Sequence, residues 1–216
     1  MSDITFYTNP MSRGRIARWM LEETGAPYRT EVLDYGPAMK TPEYRALNPM
    51  GKVPTIVHGE VVVTECAAIC AYLADAFPGA GLAPEPGSDA RGAYYRWLFF
   101  AAGPVEAAVT AAAFGFDTQD DQAYGRAGWG NLEAVTDTLA GLLSDGRPYL
   151  LGEAFSAVDV YLGSQIAWGR QFGTLPDREG FGPYLARIMG RGAAVRSQEK
   201  DNALMPKKDE DQPPAS

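Results

Sequence analysis

Residues 48–77 read NPMGKVPTIVHGEVVVTECAAICAYLADAF, and this stretch decides the fold of the first part of the chain. The four residues at 48–51 include proline and glycine, which interrupt helices and strands. Two β-rich runs at 55–57 and 61–63 then flank the residues His-Gly-Glu at 58–60. This pattern predicts a β-hairpin with a short turn.

A helix follows the hairpin almost directly. After Thr64, apolar side chains recur at helical spacing, at Ile69, Cys70, Leu73 and Phe77. Residues 64–66 therefore stand at the start of a helix, where the first backbone amides have no partner within the helix. Such a terminus favours a bound carboxylate through hydrogen bonds and through the helix dipole. We therefore expect a small anionic ligand at this point.

The residues before this stretch predict alternating strands and helices. Residues 4–7 form a β-rich run, and a helix begins near Ser12 and stops at Gly25. Residues 28–32 predict a second strand, parallel to the first through a right-handed crossover. Thr41-Pro42 is typical of a helix start, with the threonine as N-cap and the proline in the first turn.

The pattern changes to helices alone after a connector at 78–88 that is rich in proline and glycine. A long helix begins near Asp89, carries a cluster of aromatic residues and meets Pro104, which kinks or ends it. Another helix covers 132–143 and has one apolar face. Residues 156–159, serine first and aspartate last, have the spacing of a capping box that begins a further core helix.

Composition limits the classes of partner. The 216 residues are 46% hydrophobic and 21% charged, as in ordinary soluble globular proteins. The formal charge of -8 argues against nucleic acid as a partner, because phosphate binding requires clustered cations. No apolar run approaches the roughly 20 residues that cross a bilayer, and no charged leader precedes an apolar core. We therefore expect a cytoplasmic protein without a membrane partner.

The two cysteines and the single histidine form no metal or redox motif. Cys66 and Cys70 are four residues apart, not in the C-x-x-C spacing of a dithiol oxidoreductase. Cys70 is interpreted as a small core residue. His58 is expected at the surface in the hairpin turn, with no cysteine or carboxylate cluster around it. The sequence therefore predicts no metal site.

Val53-Pro54 followed by Glu65-Cys66 resembles the glutathione-binding half of the cytosolic (bacterial) glutathione S-transferases. In that family a Val-Pro pair precedes Glu or Gln with Ser, and then Ala-Ile. The resemblance implies that Pro54 is a cis proline and that the residue before it offers its backbone to the cysteinyl unit of glutathione. It also implies that glutathione is the cosubstrate.

The domain organisation follows from the element order and from the same resemblance. Strand, helix, strand, short helix, hairpin and helix form the thioredoxin-like arrangement, βαβ-α-ββα, which belongs to the α/β class. An all-helical domain with a capped core helix follows it in the family. We therefore predict a glutathione-binding domain at 1–80, a linker at 81–88, an all-α domain at 89–204 and a flexible tail at 205–216.

Asn9-Pro10-Met11-Ser12 resembles the His-Pro-Ala-Ser segment of the serine-type, phi-class enzymes. The resemblance implies that Ser12 donates a hydrogen bond to the glutathione sulfur and favours the thiolate. A free thiol has a pKa of about 8.5, so only a small fraction is nucleophilic at neutral pH. Tyr7 and Asn9 are the alternative catalytic residues. Ser12 is also a suitable cap for the first helix, and the two roles are compatible.

The remaining glutathione contacts are assigned by matching the ligand's charges to the family pattern. Lys40 and Lys52 meet the glycyl carboxylate, and Val53 pairs with the ligand main chain. Glu65 receives the γ-glutamyl ammonium, and the amide of Cys66 receives the γ-glutamyl carboxylate. Two residues depart from the pattern: Cys66 replaces a serine, and Lys52 stands where phi-class proteins often have glutamine.

The second substrate is expected to be a small hydrophobic electrophile, bound where the family places its second pocket. The predicted lining residues are Met11, Tyr95, Phe99 and Trp168. The leading interpretation is a glutathione transferase, usually a two-fold homodimer in this family. Two alternatives remain open: a glutathione-binding protein with little turnover, and a glutathione-dependent peroxidase or disulfide reductase on the same fold.

Overall fold

The computed structural model describes residues 3–116 and 121–206, and its first part is built on a four-stranded sheet. The strands are β1 (Ile4–Thr8), β2 (Tyr28–Val32), β3 (Thr55–His58) and β4 (Val61–Thr64), in the spatial order β2-β1-β3-β4. Strand β1 is parallel to β2, whereas β3 is antiparallel to both β1 and β4. This mixed sheet confirms the α/β fold predicted for the N-terminal domain.

Helices complete the N-terminal domain and form the C-terminal domain. The first three are α1 (Gly14–Thr24), α2 (Pro42–Leu47) and α3 (Cys66–Ala76). The C-terminal helices are α4 (Asp89–Phe100), α5 (Glu106–Ala113), α6 (Asp121–Arg126), α7 (Leu132–Leu143), α8 (Ala157–Phe172), α9 (Phe181–Met189) and α10 (Gly192–Ala203). The predicted helical domain is therefore confirmed. Residues 207–216 of the predicted tail lie outside the described residues.

Membrane insertion of a helix finds no support in the part of the chain that the structure describes. No helix within 3–116 or 121–206 is both long enough and apolar enough to cross a bilayer.

Local sequence signals account for the ends of the first two helices. Thr41 Oγ1 accepts a hydrogen bond from the Tyr44 amide at 3.3 Å, and α2 begins at the following proline, as predicted. Helix α1 ends at Gly25, whose φ of 68° is a left-handed conformation that glycine adopts without strain. Helix α1 begins at Gly14 rather than at Ser12, which lies in the turn before it.

The predicted position of His58 in the hairpin turn is wrong. His58 is the last residue of β3, and the turn consists of Gly59, with φ 62°, and Glu60. The His58 Nδ1 atom lies 2.9 Å from the hydroxyl of Tyr72, and its ring stacks on Phe77 with 5.6 Å between centroids. Strand pairing and these two aromatic neighbours hold the imidazole half-buried against α3 rather than at the surface.

Pro104 does not end the long helix that begins at Asp89. Helix α4 passes into a π-helical turn at Ala101–Val105 that contains Pro104, and α5 continues from it. Proline lacks an amide hydrogen and crowds the preceding turn, and a wider turn accommodates both defects without breaking the helix.

Helix α8 joins the two domains through a common core. All ten residues of its buried surface lie between Ala157 and Gly169, and the helix packs against α1 and α3 of the first domain and against α4 and α9 of the second. Ile16, Ile69 and Leu162 are each no more than 1% exposed in this core. The position of the sheet and its helices relative to the C-terminal domain is therefore fixed by apolar burial.

The start of α8 is held by Asp159, which is fully buried. Its Oδ1 accepts hydrogen bonds from the Leu150 amide at 2.8 Å and from the Tyr184 hydroxyl at 3.1 Å. Its Oδ2 accepts from the Ser156 amide at 2.9 Å and lies 3.2 Å from the Ser156 hydroxyl. The predicted capping box is confirmed. Burial raises the pKa of Asp159 to about 6, although the hydrogen bonds favour the carboxylate.

Replacement of Asp159 by alanine should lower the free energy of unfolding by about 2–4 kcal/mol, because four buried donors lose their acceptor. Urea unfolding followed by circular dichroism measures the change. Asn131→Ala is the control, since Asn131 Oδ1 caps α7 by accepting from the Ala134 amide at 2.8 Å in a more exposed place. We expect Asn131→Ala to lower the free energy of unfolding by about 1 kcal/mol. A loss at Asp159 no larger than the loss at Asn131 would contradict this assignment.

Candidate functional site

A cavity of about 950 Å³ opens between the two domains. The turn before α1 and the segment from 35 to 53 form its N-terminal wall, and residues from α5, α8 and the end of α10 form the opposite wall. Ser12, Lys40, Lys52, Val53, Met11 and Trp168 all lie on this lining. Six residues that the sequence nominates for the site are therefore brought together.

Ser12 lies on the cavity wall in the turn before α1, and its hydroxyl bonds the first amide of that helix, whose N-cap residue is Arg13. Its Oγ accepts a hydrogen bond from the Gly14 amide at 2.9 Å and donates one to the Asn9 carbonyl at 2.7 Å. Both roles weighed for this serine are thus geometrically compatible. To donate to a ligand, the hydroxyl must turn its hydrogen away from Asn9, while the bond from Gly14 keeps the oxygen in place.

The two alternative residues, Tyr7 and Asn9, are outside the cavity lining. The Tyr7 ring packs against Tyr44, with 5.5 Å between centroids. Asn9 is 3% exposed. Its side-chain Nδ2 donates to the Leu33 carbonyl and its Oδ1 accepts from the Met11 amide, each at 2.9 Å. Asn9 therefore shapes the turn that carries Ser12.

The loop before β3 is held by two donors to a single carbonyl. The Tyr44 hydroxyl and the Asn48 Nδ2 donate to the Lys52 carbonyl at 2.6 and 2.8 Å. The following Val53-Pro54 peptide bond is cis, as the resemblance implies. Pro54 is buried, whereas Val53 reaches the cavity wall. The backbone before the proline is thus presented at the cavity in a fixed conformation.

Gly51 allows this loop to pass close to the preceding segment. Its φ is 57°, and a Cβ at this position would collide with the Met39 carbonyl oxygen. The Lys40 Nζ donates to the carbonyls of Met50 and Gly51 at 3.0 and 2.7 Å. Lys40 therefore supports the loop as well as adding positive charge to the cavity.

The charge of the cavity lining is opposite to the charge of the chain. Its cations are Arg13, Arg15, Lys40 and Lys52, and its only carboxylate among the described residues is Glu106. The whole chain has a formal charge of -8. A positive cavity in an acidic protein favours entry of an anionic ligand.

Glu65 has a strained backbone. Its φ of 62° and ψ of 120° make it the one non-glycine residue with positive φ in the described part of the chain. It immediately precedes α3, and the carbonyl of Glu65 accepts the first helical bond, from the Ile69 amide at 2.9 Å. The amides that begin α3 are therefore available to a ligand. Such strain at a helix start is typical of binding sites.

Cys66 is turned toward α1 rather than toward solvent. It is 7% exposed, and its Sγ lies 3.6 Å from the Arg13 carbonyl oxygen. The neighbouring Cys66 thiol and burial both raise the pKa of Cys70 well above its usual value. The Cys66 side chain therefore contacts the start of α1 and is not on the cavity lining.

A network across the cavity was not anticipated from the sequence. Arg13 forms a two-point ion pair with Glu106 of α5, with N···O distances of 2.9 and 2.5 Å. Gln165 of α8 donates to the same carboxylate at 3.0 Å, which fixes the orientation of its amide. The Gln165 Oε1 is buried and has no partner among the described residues. No local pattern could reveal these contacts, because the partners are far apart in sequence.

The four residues predicted to line the electrophile pocket are only partly on the cavity lining. Met11 and Trp168 line the cavity, but Tyr95 and Phe99 do not. Helix α4 buries Tyr94, Trp97 and Leu98, so Tyr95 and Phe99 point outward and are 45% and 72% exposed. Tyr35 and Phe172 are the aromatic residues that the sequence interpretation missed.

Metal-binding clusters are absent from the described ranges. No group of three or more histidine, cysteine, aspartate or glutamate side chains is placed to hold an ion within 3–116 and 121–206.

Most of the known proteins that this chain resembles are named glutathione S-transferases. Residues 11–76 match the family model described as glutathione S-transferase, N-terminal domain. A curated relative, glutathione S-transferase GST-4.5 of Xanthomonas campestris pv. campestris, is 28% identical over 77% of this chain and 83% of its own length. The theta-class glutathione S-transferase of Xanthomonas axonopodis pv. citri, solved with glutathione bound, is 29% identical with a TM-score of 0.70, covering 91% of this chain and 97% of that one.

A further relative has a different name. The stringent starvation protein A homolog of Pasteurella multocida is 28% identical over 83% of this chain and 82% of its own length. The relatives of this chain therefore include a protein that is not named as a transferase.

Replacement of Glu65 by glycine should stabilise the fold relative to Glu65→Ala by about 1 kcal/mol. Alanine keeps a Cβ in the strained conformation, whereas glycine relieves a strain of about 1–3 kcal/mol at an entropic cost of about 0.5–1 kcal/mol. Differential scanning calorimetry of both variants measures the difference. A glycine variant that melts below the alanine variant would show that the backbone at this position is not strained.

Proposed function

This chain belongs to the cytosolic glutathione S-transferase family, and on that premise we propose that it holds glutathione in the cavity described above and transfers it to a small electrophile. The carrying observation is that Ser12 and the loop before Pro54 line one positively charged cavity. The start of α3 does not line it but adjoins it, because Cys66 Sγ lies 3.6 Å from the carbonyl oxygen of Arg13. We further propose that the protein acts in the cytoplasm, and that the boundary between its domains lies at residues 81–88.

The proposed position of glutathione matches each of its charges to a group on the cavity wall or at the adjoining start of α3. Its γ-glutamyl carboxylate lies at the free amides that begin α3, and Glu65 receives the ammonium beside it. The backbone of Val53 pairs with the cysteinyl unit. Lys40 and Lys52 receive the glycyl carboxylate. Since Cys66 contributes a backbone amide to this arrangement, the loss of the family's serine hydroxyl weakens binding without removing it.

We propose that Ser12 favours the thiolate form of bound glutathione, as in the serine-type members of the family. Its hydroxyl, held by the Gly14 amide, turns from the Asn9 carbonyl to the sulfur. The partial positive charge at the start of α1 acts in the same direction. The thiol proton passes to water. The sulfur then forms a bond to the electrophilic carbon with its electron pair, and a leaving group such as halide departs with the pair of the broken bond.

A glutathione-binding protein with little turnover is the second candidate. Its support is the relative named as a stringent starvation protein A homolog, together with the substitution of Cys66 for serine. A peroxidase or disulfide reductase would use the same thiolate on an oxygen or sulfur electrophile.

A glutathione titration by calorimetry, followed by turnover assays, separates these functions. The assays use an aryl halide, a hydroperoxide and a mixed disulfide as the electrophile. We expect binding and turnover of the aryl halide. Binding without turnover of any of the three would favour the binding protein, and no binding would refute the proposed function.

Ser12→Ala should lower kcat with an aryl halide by about 10–100-fold, because a hydrogen bond to a charged group contributes about 1.5–3 kcal/mol. The pKa of bound glutathione, followed by thiolate absorbance, should rise in the same variant. Tyr7→Phe is the control and should turn over at close to the wild-type rate, since Tyr7 lies outside the cavity. A normal kcat and a normal pKa of bound glutathione in Ser12→Ala would show that another residue favours the thiolate.

We also propose that the protein is a homodimer, with the outward face of α4 in the interface. Tyr95 and Phe99 are separated by one helical turn and expose their rings together. Exposed aromatic residues on a regular helix are typical of protein–protein interfaces.

Phe99→Glu should convert the dimer to a monomer at micromolar concentration, because two charges would be buried in a two-fold interface. Sedimentation equilibrium measures the mass. The control is Phe114→Glu, since Phe114 is equally exposed, at 71%, but belongs to the end of α5. A wild-type protein that sediments as a monomer, or a Phe99→Glu variant that remains dimeric, would contradict this interface.

A further inference from the structure

The guanidinium of Arg15 is positioned at the cavity by oxygen atoms that do not neutralise it. Its Nε donates to the Pro10 carbonyl at 2.5 Å, and its Nη1 and Nη2 both donate to Asn202 Oδ1 at 3.0 Å. Within the described residues, no carboxylate forms an ion pair with it; Asp201, the partner of Arg18, is the carboxylate that interacts with it electrostatically from further away. Both Arg15 and Asn202 line the cavity.

The neighbouring arginines of α1 differ in this respect. Arg13 is paired with Glu106 at the cavity, and the buried Arg18 is paired with Asp201 at 2.7 Å. Arg15 lies between them in sequence and has only a carbonyl and an amide oxygen as acceptors. Neutral oxygens fix the direction of a guanidinium while leaving its charge available.

Arg15 also retains donors for a ligand. A guanidinium has five N–H groups. The contacts with Pro10 and Asn202 use one on each nitrogen, which is three of the five, so two remain. A carboxylate is a strong acceptor for such donors.

Arg15 lines the same cavity as Ser12, the residue proposed to activate the sulfur. The Arg15 amide donates to the Ser12 carbonyl at 3.2 Å, so the two residues are one turn apart at the start of α1. Lys40 and Lys52, the cations proposed for glutathione itself, belong to the segment from 35 to 53 rather than to α1. The opposite wall of the cavity comes from the C-terminal part of the chain and includes Trp168, Phe172 and Met205. Arg15 therefore adds a positive charge to a cavity whose opposite wall includes these apolar side chains.

We infer that the second substrate is an anionic electrophile, whose apolar body packs against Trp168 and Phe172 and whose carboxylate binds Arg15. This inference rests on the proposed transferase function and names the substrate class of the same site. Arg15 is thereby a specificity-determining residue, and Asn202 of α10 is the residue that orients it.

The test compares two substrates that differ at one group: an activated chlorodinitrobenzoate and its neutral methyl ester. Each kcat/KM is divided by the uncatalysed rate constant with glutathione, which removes the difference in intrinsic reactivity. The wild-type protein should prefer the benzoate. Arg15→Gln should lower kcat/KM for the benzoate by about 10–100-fold and change it less than about threefold for the ester. Arg15→Lys should retain part of the preference.

Arg29→Gln is the matched control. It removes the same charge from an exposed position on β2, where Arg29 pairs with Glu31 at 3.1 Å, and should leave the preference unchanged. If Arg15→Gln does not fold, inhibition of the wild-type protein by unreactive dinitrobenzoate and by dinitrobenzamide gives the same comparison. Tighter inhibition by the benzoate is expected.

Three results would overturn the inference. One is a wild-type protein without preference for the benzoate or without tighter inhibition by it. Another is an equal loss for both substrates in Arg15→Gln, accompanied by a raised pKa of bound glutathione, which would assign Arg15 to the thiolate. The third is an equal loss without a change in that pKa, which would make Arg15 a clamp between α1 and α10. Turnover of neither substrate would instead refute the transferase function.

Discussion

Strand direction is the constraint on which the site depends. Because β3 is antiparallel to both β1 and β4, β1 and β4 run in the same direction, and the helices that follow them begin at the same edge of the sheet. Helix α1 follows β1 and α3 follows β4, so two helix N-termini meet there, as the contact between Cys66 Sγ and the Arg13 carbonyl shows. The unpaired amides that begin α3 and the positive ends of the two helix dipoles make this edge favourable for anions.

The side chains extend this property outward into the cavity. The chain is acidic as a whole, yet four cations and one carboxylate line the space between the domains in the described residues. The cations are not equivalent, because Arg13 is paired with the Glu106 carboxylate, whereas Lys40 and Arg15 donate to neutral oxygen atoms. The C-terminal domain contributes Glu106, which pairs with Arg13, and Asn202, which orients the guanidinium of Arg15. The chemistry of the cavity is therefore set by contacts between domains, whereas its location is set by the sheet.

The parts of the structure that the sequence predicts are those with local causes. The hairpin, the Thr41 cap and the box formed by Ser156 and Asp159 each depend on neighbours within a few residues, so spacing alone reveals them. The positive φ of Glu65 is hidden because glutamate gives no sign of a left-handed backbone. The outward direction of Phe99 is hidden too, since α4 has aromatic residues on every side. The bond from Arg15 to Asn202 joins residues 187 positions apart, and no period in the sequence encodes it.

The most direct test is a crystal structure of the protein soaked with glutathione. The account predicts the tripeptide in the cavity, with its sulfur within about 3.5 Å of the Ser12 hydroxyl, its γ-glutamyl carboxylate on the first amides of α3 and its cysteinyl main chain beside Val53. An empty cavity, or a tripeptide bound in another orientation with its sulfur away from Ser12, would contradict it.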